Sequence, residues 1–286
     1  MALNIKKHLL ALLLFLGFGI VQAQQNSSLL WEISGKDLAK PSYFFGTIHA
    51  IPNDKFFLPE VVKQKFSSVD KVVLEINLSD SNIMLETQTL MVMKDSTIND
   101  LLSKTDLDKV TRFFADSLGL QLSMVSKVKP MLLVAFIIQK FLGTDPVSYE
   151  QSFLNMTKTE GKEMIGLETV KEQIDCIDKI PLKEQAAMMV EGIDDFNKGK
   201  KEYLQLLDAY LNQDIENIYK NMMDDPEFKY FADVLIYNRN QKWVSRIEKL
   251  IKEHSCFIAV GCGHLGGEKG ILTLMKKEGY TVRPIK

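Results

Sequence analysis

At 286 residues, 46% of them apolar and 25% charged, the chain has the balance of an ordinary globular protein, with room for a sizeable core in one or two domains. A formal net charge of -2 without a long basic run argues against a nucleic-acid partner. The three cysteines, Cys176, Cys256 and Cys262, are odd in number, which argues against a disulfide-stapled scaffold.

The N-terminus reads as a secretory signal peptide. Lys6 and Lys7 precede the apolar run Leu9 to Ile20, and Val21-Gln22-Ala23 supplies small residues at the cut. Residues 1–23 are therefore expected to be removed, leaving 24–286 as a single domain of an exported protein, periplasmic or extracellular. The apolar run is too short to stay as a comfortable membrane span, so no stable span is expected after cleavage. No cysteine follows Ala23 to carry a lipid.

In chain order, Leu29 to Ser34 and Pro41 to Ile48 read as strands, the second rich in aromatics. Leu58 to Val69 fits a short helix with Pro59 at its start. Lys71 to Leu78 (KVVLEINL) is a nearly continuous apolar run, the pattern of a buried strand, interrupted by Glu75. A carboxylate there costs several kcal/mol unless it is paired, bound to a cation or at the strand's end. A large helical insertion is expected from about residue 80 to 253. Within it, helices fit Asp106 to Leu118, Met131 to Leu142 after Pro130, Leu182 to Asn197, Glu202 to Leu211, Ile215 to Met223 and Glu227 to Glu253. Met131 to Leu142 is apolar all round and too short for a membrane, which predicts a core helix. Gly161 and Lys162 end a further helix, and Glu163 to Leu167 reads as a strand. At the C-terminus come a strand over Cys256 to Val260, a glycine-rich turn over Gly261 to Gly267, a helix over Ile271 to Lys277 and a strand over Tyr280 to Ile285. Both ends read as strand, G-x-x-H, helix, strand. The predicted class is α/β, a mixed β-sheet built from the N- and C-terminal segments around the helical insertion.

Three histidines follow the expected cleavage point. Two of them, His49 in Gly46-Thr47-Ile48-His49 and His264 in Gly261-Cys262-Gly263-His264, each follow a strand and stand three residues after a glycine. Glycine lets the chain turn sharply off a strand end, and open α/β sheets bind ligands at their strand ends. Two imidazoles there can share a transition metal. Hydrolytic sites usually add a third protein ligand and a water, which makes Glu75 and Glu168, both at the ends of strand-like runs, candidates for a ligand and a general base. Arg239 and Asn240 stand in the long helix, where a buried Arg would stabilise an oxyanion or orient a glutamate. His254 near a helix end reads as a complement to the helix dipole. Tyr203, Tyr210 and Tyr219 lie at helical spacing and read as core.

With YFFGTIHAIP, KVVLEINL, MIGLETVKEQI, YNRNQKW and AVGCGHLGGEKGILTLMKKEGYTVRPI, the chain resembles the TraB/GumN family, related to the Tiki metalloproteases and more distantly to erythromycin esterase and ChaN-like proteins. The resemblance implies a mixed α/β fold and a divalent metal, manganese, cobalt or zinc, at His49 and His264 with Glu75 beside it. Glu168 falls on the family's G-L-E-T segment, and Arg239 and Asn240 on its Arg-Asn pair. Cys262 departs from the small residue of the family's second motif and would offer a thiolate to the metal or an oxidisable group. The expected activity is peptidase-like hydrolysis on a peptide or small-molecule substrate. Ester hydrolysis, and non-catalytic metal or haem binding, are the alternatives.

Overall fold

A computed structural model describes residues 27–286, so the expected signal peptide lies outside the described residues. The strands are β1 (Leu30–Ser34), β2 (Ser42–Thr47), β3 (Ala50–Pro52), β4 (Lys71–Ile76), β5 (Pro146–Ser148), β6 (Glu163–Glu168), β7 (Cys256–Gly261) and β8 (Thr281–Ile285). Six form one sheet in the order β6-β4-β7-β2-β1-β8, while β3 and β5 form a separate two-stranded ladder. Strands β6, β4, β7 and β2 are parallel neighbours, and β1 is antiparallel to both β2 and β8. The sheet is mixed and draws its strands from both ends of the chain, as the sequence predicts. Its edge strand β6 comes from the middle of the helical insertion, dividing it in two.

The helices are α1 (Glu60–Ser67), α2 (Ile83–Leu90), α3 (Ile98–Leu101), α4 (Lys104–Leu118), α5 (Leu122–Val125), α6 (Pro130–Leu142), α7 (Tyr149–Glu160), α8 (Val170–Ile177), α9 (Leu182–Asp194), α10 (Phe196–Leu211), α11 (Ile215–Asp224), α12 (Pro226–Ala232), α13 (Asn238–Glu253) and α14 (Ile271–Lys277). Their ends have local causes. Ser103 caps α4 by accepting from the Asp106 N–H, and Gly119 closes it in the left-handed region. Thr169 and Glu172 form a capping box at the start of α8.

The parallel strands are buried because helices must cross over between them. Every residue of β2 and β7 is buried. Phe45 and Phe257 from these strands meet Phe153 of α7, and Phe66 of α1 stacks on Phe153 at 5.8 Å between ring centres. A second, smaller apolar cluster lies within the insertion and joins Ile98, Val110, Phe114, Leu133, Ile137 and Met189.

Two expectations need correction. The helix predicted over Glu227 to Glu253 is three segments: α12, a π-helical stretch over Asp233–Tyr237, and α13. Asp225, which caps α12 through the Phe228 N–H, and Pro226 at its first position set the start one residue earlier than predicted. Helix α6, apolar all round in sequence, buries only one side, with Leu133 and Ile137 inward and Ile138 exposed. No helix of the described residues is long and apolar enough to cross a membrane.

Candidate metal centre

The site lies at the C-terminal ends of the parallel strands. Thr47 of β2 is in register with Gly261 of β7, Leu74 of β4 with Ala259 of β7, and Ile76 of β4 with Glu168 of β6. This register carries His49, Glu75, His264 and Glu168 to one edge of the sheet, from positions far apart in the chain.

His264 sits in a single 3-10 turn, Cys262–His264, directly after β7. Its ring is buried against the Trp243 indole at 4.5 Å between centres. Asn240 fixes its tautomer. The Asn240 Nδ2 donates to the backbone carbonyls of His264 and Lys269, at 3.1 and 2.9 Å, so its Oδ1 must be the acceptor facing His264 Nδ1 at 2.7 Å. Nδ1 therefore carries the hydrogen and Nε2 keeps a lone pair. That lone pair accepts from Arg239 Nη1 at 3.2 Å and lies 3.9 Å from Glu75 Oε1.

His49 has φ 59, a left-handed backbone that a non-glycine residue adopts at a cost. Its Nδ1 donates to Glu150 Oε1 at 3.0 Å, and the Thr47 hydroxyl donates to the same oxygen at 2.7 Å. Its Nε2 is thereby turned toward Gly261. A Cβ on Gly261 would stand 2.9 Å from His49 Nε2 and 3.4 Å from Glu75 Oε1. Only a hydrogen fits there, so glycine leaves a cradle between the imidazole and the carboxylate.

Glu75, next to last in β4, has both oxygens engaged. Oε1 accepts from the Gly261 N–H at 2.8 Å, and Oε2 from Arg239 Nη2 at 2.6 Å and Gln173 Nε2 at 3.4 Å. Glu168 is given over to Arg239 and Trp243: Arg239 Nε and Nη2 reach its Oε1 at 3.1 and 2.6 Å, and the Trp243 indole N–H reaches Oε2 at 3.1 Å. Arg239, expected to be buried if functional, has 11% of its side-chain surface exposed, and its Nη1 also donates to the Leu235 carbonyl in the π-helical stretch. Thus His49, Glu75, His264, Glu168, Arg239 and Asn240 come together. Glu150, Thr47, Trp243 and Gln173 are partners that sequence reasoning missed. For Thr47 the signal was present, since it lies inside the first G-x-x-H.

Cys262 is a buried free thiol in the main core, pushed up to about 12 by burial, and Cys176 and Cys256 are buried and free as well. Tyr210 is core, its hydroxyl donating to the Gly46 carbonyl, while Tyr219 covers Gly267 and pairs with the Tyr237 hydroxyl. His254 is the C-cap of α13.

The model of the TraB/PrgY/gumN family matches residues 29–284. The chain belongs to this family. Among curated relatives it is similar to a Metalloprotease TIKI homolog of Nematostella vectensis, 22% identical over 91% of this chain and 67% of the relative. It is also similar to Metalloprotease TIKI2 of Danio rerio, 22% identical over 92% of this chain and 62% of the relative. A third relative is the Uncharacterized protein YbaP of Shigella flexneri, 22% identical over 82% of this chain and 88% of the relative. The chain thus spans about two thirds of the length of these metalloproteases. No solved structure matches it.

The charges of this TraB/PrgY/gumN site are set by burial and neighbours. Burial pushes the His264 imidazole down to about 3, against the pull of Glu75, so it is neutral at ordinary pH. His49 leaves 61% of its side chain open. Its protein surroundings favour the neutral ring, but the hydrogen bond and charge of Glu150 outweigh them and raise it to about 9. For Glu75, burial disfavours ionisation, yet His264, Arg239, His49 and the Gly261 N–H hold the carboxyl down to about 2. Burial raises Glu168 despite its ion pair with Arg239.

Among the described residues no group of three or more His, Cys, Asp or Glu side chains is arranged to hold a metal ion as it stands. The Arg239 guanidinium lies across the donors, on His264 Nε2 and Glu75 Oε2. The donor chemistry nonetheless suits a cation. Two imidazoles have their Nδ1 positions tied off, a carboxylate oxygen faces them, and a glycine cradle lies between. The 3.9 Å from His264 Nε2 to Glu75 Oε1 is within the roughly 4.2 Å that two metal bonds of about 2.1 Å can span.

Proposed function

We propose that this protein is a metal-dependent hydrolase, peptidase-like in its chemistry, with a divalent manganese, cobalt or zinc ion held by His49 and His264 beside Glu75. The observation that carries this reading is the meeting of both G-x-x-H histidines with Glu75 around the side-chain-free Gly261, at the ends of adjacent strands. The similarity to proteins named metalloproteases supports it.

When bound, the metal supplies Lewis acidity and makes water a nucleophile near neutral pH. The chain's own groups do the rest. Asn240 and Glu150 hold the two rings so that Nε2 of each is presented to the cradle. Glu75, ionised far below neutral pH and with Oε1 at the cradle beside Gly261, is the proton acceptor, whereas Glu168 is turned to Arg239 and Trp243. Arg239, braced by Glu168, holds its positive charge beside Glu75 and His264, where a guanidinium stabilises negative charge developing on a carbonyl oxygen.

The test is hydrolysis of a peptide library by the purified chain with each metal added. Metal-stimulated cleavage is expected, and Glu75→Gln should lower it by about a hundredfold or more while leaving the fold intact, the scale of a lost general base. A fully active Gln variant, or no cleavage with any metal, contradicts the reading.

A further inference from the structure

Glu150 reaches the site from the far side of the first part of the insertion, by a specific route. The register Ala50↔Ser148, Ile51↔Val147 and Pro52↔Pro146 sets β5 against β3, the strand that leaves His49. The ladder is three residues long and ends in two prolines that lack N–H groups, so it is a weak sheet by itself. What continues it is the Tyr149 N–H donating to the His49 carbonyl at 3.0 Å. The next residue, Glu150, lies in the first turn of α7, a position where the helix dipole favours an acid. Its carboxylate turns back to the strand ends. Oε1 accepts from both His49 Nδ1 and the Thr47 hydroxyl, and Oε2 from the Ser148 hydroxyl at 3.3 Å.

We propose that Glu150 is the positioning residue for His49: it holds the ring of this backbone-strained residue with Nε2 on the cradle and strengthens that nitrogen as a donor to a cation. This rests on the metal reading above. A carboxylate behind one histidine fixes its tautomer and raises its basicity as a ligand. His264 has the neutral Asn240 amide in the same role, so the two histidines are unequal, His49 being the stronger donor. The backbone at His49 gives the clamp its purpose. A left-handed non-glycine residue persists only where its surroundings over-determine it. Here the surroundings are the Tyr149 N–H on its carbonyl and Glu150 on its ring.

The experiment is a Co²⁺ titration of the purified chain, read by calorimetry and by the visible ligand-field absorption, with circular dichroism on every variant. Glu150→Gln keeps the side chain's shape and removes its charge. It should stay folded, bind Co²⁺ about 10- to 100-fold more weakly, and show an altered band. Glu150→Asp, which keeps the charge, should recover part of the affinity. Should Glu150→Gln fail to fold, Thr47→Val takes its place, because it removes one of the two donors that hold Glu150 Oε1 and leaves the charge; weaker binding supports the role. Wild-type affinity and spectrum in the folded variant overturn it. No Co²⁺ binding by the wild type defeats the metal reading itself, whereas tight wild-type binding that Glu150→Gln leaves unchanged defeats only the role of Glu150.

Discussion

Burial shifts His264 and Glu150 shifts His49 in opposite directions, and the difference is measurable as stability against pH. His264 is held at about 3 in the folded chain against an ordinary 6.5, so between those values the unfolded chain binds the extra proton. Stability therefore falls as pH drops below 6.5, by up to about 1.4 kcal/mol per pH unit for this one group. His49 is the reverse case. Raised to about 9, it contributes stability that is fully present below 6.5 and lost as pH rises through 9. Because its ring is open to solvent, that alkaline limb is shallow. Urea unfolding of the metal-free protein should show a maximum near pH 6.5. His264→Gln should flatten the acid limb between about pH 5 and 6.5. An unchanged acid slope in that variant would show that another group is responsible.

At the scale of elements, Gly261 at the end of β7 and Gly263 in the turn after it have different neighbours. A Cβ on Gly263 would strike the Met222 side chain of α11 at 2.4 Å, so that glycine allows packing, whereas one on Gly261 would enter the cradle. The backbone of Gly261, at φ -51 and ψ 131, is open to alanine. Gly261→Ala is therefore expected to fold, with the solvent-open His49 ring pushed off the cradle by the new methyl, and to bind Co²⁺ at least about tenfold more weakly, as loss of ligand positioning does. Unimpaired binding would mean that the cradle is not the cation's place. Long periodic or apolar runs made much of this framework legible: the helix over Ile271–Lys277 has the bounds its sequence predicts, and β4 and β7 show as apolar runs. The histidines stand out by a G-x-x-H after each strand and Glu75 as a carboxylate inside an apolar run, while Arg239 is marked only by the resemblance to the family's Arg-Asn pair. Glu150 did not stand out, since β3 and β5 are too short to show a period and a glutamate in a first helical turn is ordinary. The π-helical stretch was hidden for another reason. The apolar spacing runs on through Asp233–Tyr237, while the wider turn shows only in the backbone, where it brings the Leu235 carbonyl to Arg239 Nη1.

For the molecule as a whole, the parallel strands β2, β7, β4 and β6 act as a ruler, and the register alone lines up groups that are separated by up to about two hundred residues. The helical insertion adds the other half of the site: Arg239, Asn240 and Trp243 come from the segment between β6 and β7, and Glu150 from the segment between β4 and β6. Arg239 now neutralises the carboxylates and accompanies the His264 lone pair, so a cation that binds must take that contact from it. The most direct measurement is metal content after dialysis against manganese, cobalt and zinc, for the wild type, His49→Ala and His264→Ala. One shared ion predicts about one metal per wild-type chain and almost none in either variant. Equal metal content in all three proteins would contradict it.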